Sequence, residues 1–449
     1  MNSTLTDSHF IYISKQQSQK INIDCMFVMG VLSTFILFFS FKIAGISFFK
    51  YIAFGFGTYL IFKSNGIFKK SVLRMDHLPY FAVTVFSVLL ILLGKSPFKE
   101  YSIRSLIDFF FIAYLCFAVV ICSDRKLLSF IQGVRVSCYV QIVWSFIQIA
   151  LWYSIRLDLN KLLFVDLLHL IDSASKYDKG ELCISGISHH PSNLIVVVIL
   201  TLFLVKKIWK WPVCVIIALA SKNSTTMIAV ALCMLLYIIS KLSQSVKSKK
   251  MSKKDVLLFV TVLLAVFVVL CFGGGRIASR YNEIIFRVQS VFKGTVNDGS
   301  TIAHASYYTF LPAVWKNYSI TEVFFGYSYG WTGGMFDYFF GTKDYLIFTR
   351  PSLNWGVESD PMNMLYGIGI VGMLAFYFWL IKTALKGKKI NRYYSLMIVS
   401  FIIAGFFYCI QYSFVVVFEV VITTAICRNL DVFNNRKYGT YISRGLRKI

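Results

Sequence analysis

The sequence predicts an all-α polytopic membrane protein of about twelve transmembrane helices, with two long external loops containing short helices. Charged residues make up only 15% of the chain and apolar residues 57%, whereas soluble domains average about 25% charged residues. Apolar stretches of roughly 17 to 22 residues recur, which is the length that spans a bilayer. Lysines and arginines cluster between them. We therefore expect residues 1–449 to form a single transmembrane domain.

The apolar stretches place the spans in order along the chain. The stretch at 211–220 is too short to cross alone and must borrow flanking residues. Only "QYS" separates the last two stretches, so their boundary could lie elsewhere. The spans are predicted near 22–41, 43–62, 78–94, 105–122, 133–153, 192–205, 211–220, 224–240, 256–272, 361–381, 394–410 and 412–427.

The positions of the basic residues predict the orientation. Cytoplasmic loops of membrane proteins are enriched in lysine and arginine. With the amino terminus inside, the internal loop "KLSQSVKSKKMSKK" carries six lysines and no acid, and the carboxyl-terminal tail is also basic. Both termini are therefore expected in the cytoplasm. The formal net charge of +25 follows this loop pattern, and we expect no nucleic-acid partner.

Two long segments, 154–191 and 273–360, are then external. Acids and bases are nearly balanced in both. In the first segment, polar residues fall on one arc of a predicted helix and leucines fill most of the rest. The polar residues are Asp158, Lys161, Asp166, His169 and Asp172. This pattern predicts either a helix lying flat at the outer interface or one packed over the bundle.

Three arginines open the second external segment with helical spacing. Arg276, Arg280 and Arg287 share one face of a predicted helix, and arginine forks bind phosphate oxygens well. We interpret them as a candidate pyrophosphate site. The alternative is a solvated face paired with Glu283.

Two further groups of polar residues stand directly before predicted spans. Glu358 and Asp360 precede Pro361, where a carboxylate could act as a general base, or Asp360 could cap the helix. In "GISHHPSNL", His189 and His190 could contact a sugar or a phosphate. Pro191 equally suits the first turn of a helix, with His190 or Ser188 as its cap.

Other site types have little support. The chain has ten cysteines but no CxxC, which argues against a zinc site or a disulfide framework. We expect no metal and no cofactor. The polar amino terminus has no small-residue cleavage site, so we expect no cleaved signal peptide.

Four stretches resemble the O-antigen polymerase (Wzy-type) family, within the wider O-antigen ligase and polymerase group. They are "CISGISHHPSNL", "ASKNSTTMIAVAL", "FFGYSYG" and "SDPMNMLYGIGIVGM". Members often carry arginine in the serine-rich turn, where this chain offers Lys222, and often at the position of Cys183. Ligases tend to carry histidine where this chain reads Asp360 to Asn363, which favours a polymerase.

The resemblance implies a function and partners. A growing glycan on undecaprenyl pyrophosphate would be moved onto a newly flipped, lipid-linked repeat unit at the external face of the bacterial inner membrane. The partners would be this lipid-linked glycan, membrane lipid and a chain-length regulator protein. The rival functions are O-antigen ligation to lipid A core and transport of lipid-linked sugars by a flippase.

Overall fold

The structure is a computed structural model, and the part of the chain that it describes is mostly helical. It covers residues 24–35, 41–43, 46–63, 76–120, 124–173, 175–178, 180–188, 190–205, 207–248, 308, 311–330, 332, 335, 338–339, 357, 359–390, 392–410 and 420. The helices are α1 (Cys25–Leu32), α2 (Phe48–Lys63), α3 (Leu78–Leu93), α4 (Lys99–Val120), α5 (Asp124–Ile155), α6 (Leu194–Leu204), α7 (Lys210–Ala220), α8 (Ser224–Ser248), α9 (Leu311–Trp315), α10 (Ile320–Phe325), α11 (Asp360–Gly367), α12 (Gly369–Ile390) and α13 (Arg392–Ala404).

The remaining described elements are short. Antiparallel hairpins pair β1 (Lys42–Ile43) with β2 (Ile46–Ser47), and β3 (Lys176–Asp178) with β4 (Glu181–Cys183). A π-helix covers Lys161–Leu167, and a 3-10 turn covers Pro191–Asn193.

Two helices are long and apolar enough to cross a membrane, judged by length and composition. They are Ser129–Ile155 within α5 and Gly369–Lys388 within α12. The helical class is therefore confirmed, and the membrane character of the described residues rests on these two helices. Shorter apolar helices coincide with other predicted spans: Leu78–Leu93, Pro191–Leu204, Lys210–Ala220, Thr225–Lys241 and Arg392–Ala404. The predicted spans near 256–272 and 412–427 lie outside the described residues, except for Val420.

Helix α5 provides the axis along which the rest is placed. It has 32 residues and is about 48 Å long. We call its end at Ile155 the upper end of the bundle and its beginning at Asp124 the lower end. Along α5 lies α1, where Gly30 and Gly133 permit close contact: a Cβ on Gly30 would lie 2.2 Å from the Phe130 carbonyl oxygen. Small residues of this kind let helices in membranes pack closely.

Three helices are much shorter than α5. Helices α6, α7 and α13 have 11, 11 and 13 residues, or about 17–20 Å each. Ile142, midway along Ser129–Ile155, packs against Leu194 and Val197 of α6 and Ile217 of α7. The beginning of α6 and the end of α7 therefore lie near the middle of α5 rather than at its upper end. The turn after α13 lies beside the beginning of α6, because Tyr408 bonds to Asn193.

Two glycines allow close backbone contact at the break between α11 and α12. Gly326 lies in the stretch "FFGYSYG", and Gly369 begins α12. Gly326 and Gly369 have positive φ angles of 85° and 70°. A Cβ on Gly326 would lie 2.1 Å from the Gly367 carbonyl oxygen, and one on Gly369 would lie 2.3 Å from the Phe324 carbonyl carbon. Only glycine allows this backbone contact at the break between α11 and α12.

The first external segment departs from the predicted amphipathic arc. Its helical part is the π-helix, and its exposed residues include Leu167 and Leu168. Asp158, expected on the polar arc, is only 7% exposed. Its carboxylate accepts hydrogen bonds from the Tyr177 hydroxyl and the Lys161 amide. These local partners, rather than the 100° periodicity, determine where Asp158 points.

Candidate functional site

The segment Glu181–Ser188 runs from the upper end of α5 toward its middle. Near the top, Glu181 accepts hydrogen bonds from the Trp152 indole and from Arg156. Lower down, the Gly186 amide donates to Gln148 Oε1 at 3.0 Å and the Ile187 amide to Gln141 Oε1 at 2.8 Å. Gln141 lies fourteen residues before Ile155, about 21 Å along the helix. The "CISGIS" stretch therefore enters the bundle before α6 begins.

Asn160 satisfies the buried backbone of this segment. Its Nδ2 donates to the carbonyls of Gly186 at 2.9 Å and Ser188 at 3.0 Å, and to Ser185 Oγ at 3.1 Å. Its Oδ1 accepts from the Trp144 indole at 2.9 Å. Backbone that is not helical must find such partners when it is buried, and at membrane depth it is tolerated only inside protein.

The histidine–proline motif forms the 3-10 turn that leads into α6. His190 is extended, with φ −139° and ψ 134°, and its Nδ1 accepts a hydrogen bond from the Ser192 amide at 3.3 Å. Pro191 occupies the first turn. The expectation that His190 caps this helix is confirmed. Ser188 Oγ accepts from the His190 amide and, at 2.7 Å, from Asn193 Nδ2.

Asp360 begins α11 and is fully buried. The cap position is Ser359 rather than Asp360, because the helix starts one residue earlier than predicted. A carboxylate in the first turn is favoured by the helix dipole. The Asp360 amide donates to the Gly405 carbonyl at 2.7 Å, and a Cβ on Gly405 would lie 2.5 Å from Asp360 Oδ2.

The turn Gly405–Ile410 connects the beginning of α11 to the beginning of α6. Its Tyr408 hydroxyl donates to Asn193 Oδ1. Its Cys409 Sγ donates to the Val357 carbonyl at 2.8 Å. These bonds hold together segments that are far apart in the sequence.

Lys222 lies in the turn between α7 and α8, next to the segment that begins α6. It is half-buried and has a left-handed φ of 52°, which is uncommon for a residue with a side chain. Its neighbour Asn223 donates to Ser192 Oγ at 3.0 Å. The pKa of Glu181 is lowered by hydrogen bonds from Trp152 and Arg156, and the charge of Lys222 contributes.

We call the set of segments that meet here the junction. It comprises His190–Asn193, Lys222–Asn223, Ser359–Asp360 and Gly405–Ile410. The helices α6, α8 and α11 all begin at or next to one of these segments, so each brings a positive helix end to the junction. Among the described residues, no group of three His, Cys, Asp or Glu side chains could hold a metal ion.

The junction unites some of the residues singled out by the sequence. His190, Lys222 and Asp360 all belong to it. Five others lie outside the described residues and remain predictions: His189, Arg276, Arg280, Arg287 and Glu358.

Three polar residues of this region were not predicted. Asn193 and Tyr408 form the bond described above. Tyr308 shares a 2.8 Å hydrogen bond with Ser359 Oγ and donates to the Phe406 carbonyl at 3.2 Å. Burial raises the pKa of Tyr308; the Ser359 bond opposes this rise and the Asp360 charge adds to it. A polar residue at a span boundary was the available signal for Asn193, whereas no local pattern distinguishes the two tyrosines.

The junction contains a group of the kind that accepts protons and a group of the kind that attracts anions. The carboxylate is Asp360, and the cation of the set is Lys222. No protein-family model, curated protein or solved structure matches this chain.

Proposed function

We propose that this chain polymerises undecaprenyl pyrophosphate-linked oligosaccharide repeat units into O-antigen or a related surface polysaccharide. It would act as a glycosyltransferase with about twelve spans in the bacterial inner membrane. Both termini would be cytoplasmic and the chemistry external. The observation that carries this proposal is the junction, where hydrogen bonds connect the segments that bear a buried carboxylate, a histidine and a lysine.

The reaction needs a proton acceptor and a stabilised leaving group. A hydroxyl oxygen of the acceptor sugar bonds to the anomeric carbon of the donor, and the bond from that carbon to the pyrophosphate oxygen breaks. The electron pair leaves with undecaprenyl pyrophosphate. The hydroxyl proton passes to a carboxylate, for which Asp360 is our first choice and Glu358 our second. Because Asp360 is fully buried, this role requires substrate binding to expose it.

Cations would stabilise the leaving pyrophosphate. Lys222 is the described candidate, with Arg276, Arg280 and Arg287 proposed from their helical spacing. His189 and His190 would contact the sugar or the phosphate. Fixed cations near a developing negative charge stabilise the transition state more than the ground state.

A gene deletion followed by a lipopolysaccharide gel distinguishes the candidate functions. Loss of a polymerase leaves a single repeat unit on the core. Loss of a ligase leaves bare core with accumulated lipid-linked polymer. Loss of a flippase leaves bare core with repeat units trapped on the cytoplasmic side.

Point variants then test the site in complemented cells. Asp360→Asn should abolish the ladder of polymer lengths at unchanged protein abundance, because the amide cannot accept the proton. Asp166→Asn is the matched control, since Asp166 is exposed on the π-helix. A full ladder from Asp360→Asn would exclude the carboxylate as the base. Full ladders from both Arg280→Ala and Arg287→Ala would exclude the arginine site.

One observation favours transport of lipid-linked sugars as a second candidate. Helix α6 begins and helix α7 ends near the middle of α5, and transporters use interrupted helices around a site at the membrane midplane. The gel separates this function from polymerisation by the side on which repeat units accumulate.

A further inference from the structure

One carboxylate is shared by two lysines where α3 begins and α12 nears its end. Asp76 Oδ1 lies 2.8 Å from the Lys382 ammonium, and Asp76 Oδ2 lies 2.7 Å from the Lys386 ammonium. We call these three residues the Asp76 cluster. Two ammonium groups and one carboxylate give the cluster a net charge of +1 at neutral pH.

The two lysines have more donors than Asp76 uses. Each ammonium carries three N–H donors. Among the residues that the structure describes, no second carboxylate lies within ion-pair distance of Lys382 or Lys386. The Lys382 side chain is 40% exposed, and its ammonium lies 5.4 Å from the centroid of the Phe378 ring. The surplus positive charge is therefore accessible to an anion from outside the protein.

An apolar stripe on α12 leads to this cluster. Its four side chains are 51–68% exposed and, at 100° per residue, fall within about 60° of the helix circumference. They are Leu374, Phe378, Ile381 and Leu385. The stripe is about 17 Å long, close to one half of a hydrocarbon core of about 30 Å. Lys382 borders the stripe, because its ammonium lies over Phe378.

We propose that the stripe and the Asp76 cluster together bind one phospholipid with an anionic headgroup. An acyl chain lies along the stripe, and the ammonium groups of Lys382 and Lys386 donate hydrogen bonds to the phosphate. Hydrogen bonds between charged groups are roughly twice as strong as neutral ones, and basic pockets beside membrane helices bind anionic headgroups. This site requires only that α12 crosses a membrane, and it is independent of the proposed polymerisation.

Charge complementarity favours a lipid over a second copy of the chain. In a two-fold dimer the same patch of both copies meets at the interface. Two copies packed through the stripe would bring two clusters of the same sign close together. Like charges repel, whereas a headgroup with one negative charge neutralises the net charge of +1.

Native mass spectrometry of the purified chain in mild detergent counts bound lipids and chain copies by mass. Wild type should bind its first phosphatidylglycerol about fivefold more tightly than phosphatidylcholine with the same acyl chains. Lys382→Gln and Lys386→Gln should each weaken the binding of phosphatidylglycerol about fivefold, and Lys382→Arg should retain it. Lys95→Gln is the matched control, because Lys95 is exposed and follows the opposite end of α3. It should change the dissociation constant less than about twofold.

Asp76→Asn distinguishes a role of charge from a role in folding. It breaks both ion pairs of the cluster, but it raises the net charge where Lys382→Gln lowers it. Phosphatidylglycerol should therefore bind Asp76→Asn at least as tightly as wild type. A purely structural role of the cluster predicts instead that Asp76→Asn and Lys382→Gln lose the lipid equally, and that result would overturn the proposed site.

Two further outcomes would also contradict the lipid site. The first is equal binding of the two lipids by wild type, or binding of phosphatidylglycerol by Lys382→Gln and Lys386→Gln as tight as that by Lys95→Gln. The second is a dimer without bound lipid, which would assign the stripe to a second copy of the chain.

Discussion

The Tyr408 hydroxyl donates a hydrogen bond to Asn193 Oδ1 across 215 positions of the chain. Asn193 is buried, and its Nδ2 is bonded to Ser188 Oγ. The turn that carries Tyr408 also accepts the Asp360 amide through Gly405. This one turn therefore fixes the distance between the histidine segment and the carboxylate.

Removing the Tyr408 hydroxyl should loosen this connection. Tyr408→Phe leaves Asn193 Oδ1 buried without its donor, so the free energy of unfolding in detergent should fall by about 1–2 kcal/mol. If the junction is the reactive site, polymer length should fall as well. Tyr153→Phe is the control, because Tyr153 is 55% exposed on α5. An equal change in both variants would argue against a special role for the bond.

Gly405 supports Asp360 by having no side chain. In Gly405→Ala the new methyl group would lie 2.5 Å from Asp360 Oδ2, so the carboxylate or the turn must move, at a cost of about 1–3 kcal/mol. We expect reduced polymer formation with the protein still inserted. Gly55→Ala, where no atom lies within 4 Å of the new Cβ, should retain full activity. Normal ladders from Gly405→Ala would show that Asp360 tolerates displacement.

Asn160 should be essential for the segment that enters the bundle. Asn160→Asp keeps the shape but replaces a donating amide by a carboxylate facing the carbonyls of Gly186 and Ser188. We expect a loss of about 2–4 kcal/mol in the free energy of unfolding. Asn317→Asp, at an exposed amide, should cost far less. Equal losses would mean that Asn160 is not the structural support of this segment.

Sequence patterns predicted which residues form a helix better than where along α5 that helix begins. The 78–94 prediction agrees with α3 at Leu78–Leu93, because a long apolar run with Pro79 at its start is local information. That α6 begins beside Ile142 depends instead on Gln141 and Gln148 meeting the "CISGIS" backbone. Hydrogen bonds between side chains and distant backbone cannot be deduced from the periodicity of apolar residues. The contact between Lys176 and His190 was not predicted for the same reason.

A glycine substitution at Lys222 tests separately its backbone strain and the role of its positive charge. Its left-handed φ of 52° costs a residue with a Cβ about 1–2 kcal/mol relative to glycine. Lys222→Gly should thus maintain or raise the melting temperature while it removes the cation, so activity should fall without loss of stability. His169→Gly, at a φ of 47°, relieves the same strain outside the junction and should remain active. If both variants are active, Lys222 is a turn residue only.

Asp76, at the lower end of the bundle, should make the free energy of unfolding depend on pH. Its carboxylate is 8% exposed and lies 2.8 Å from Lys382 and 2.7 Å from Lys386. Burial acts to raise its pKa, but the hydrogen bonds and charges of the two lysines outweigh it, and the pKa is lowered below 3.8. The stabilisation is therefore fully present above the unfolded pKa of 3.8 and is lost as the pH falls through the lowered folded value. At neutral pH, Asp76→Asn should reduce the free energy of unfolding by about 1–2 kcal/mol, with the difference from wild type vanishing in acid. Glu100→Gln is the control, because Glu100 forms an exposed pair with Arg104, and it should show no such pH dependence. A difference between Asp76→Asn and wild type that stays constant down to the most acidic pH would contradict the assigned ion pairs.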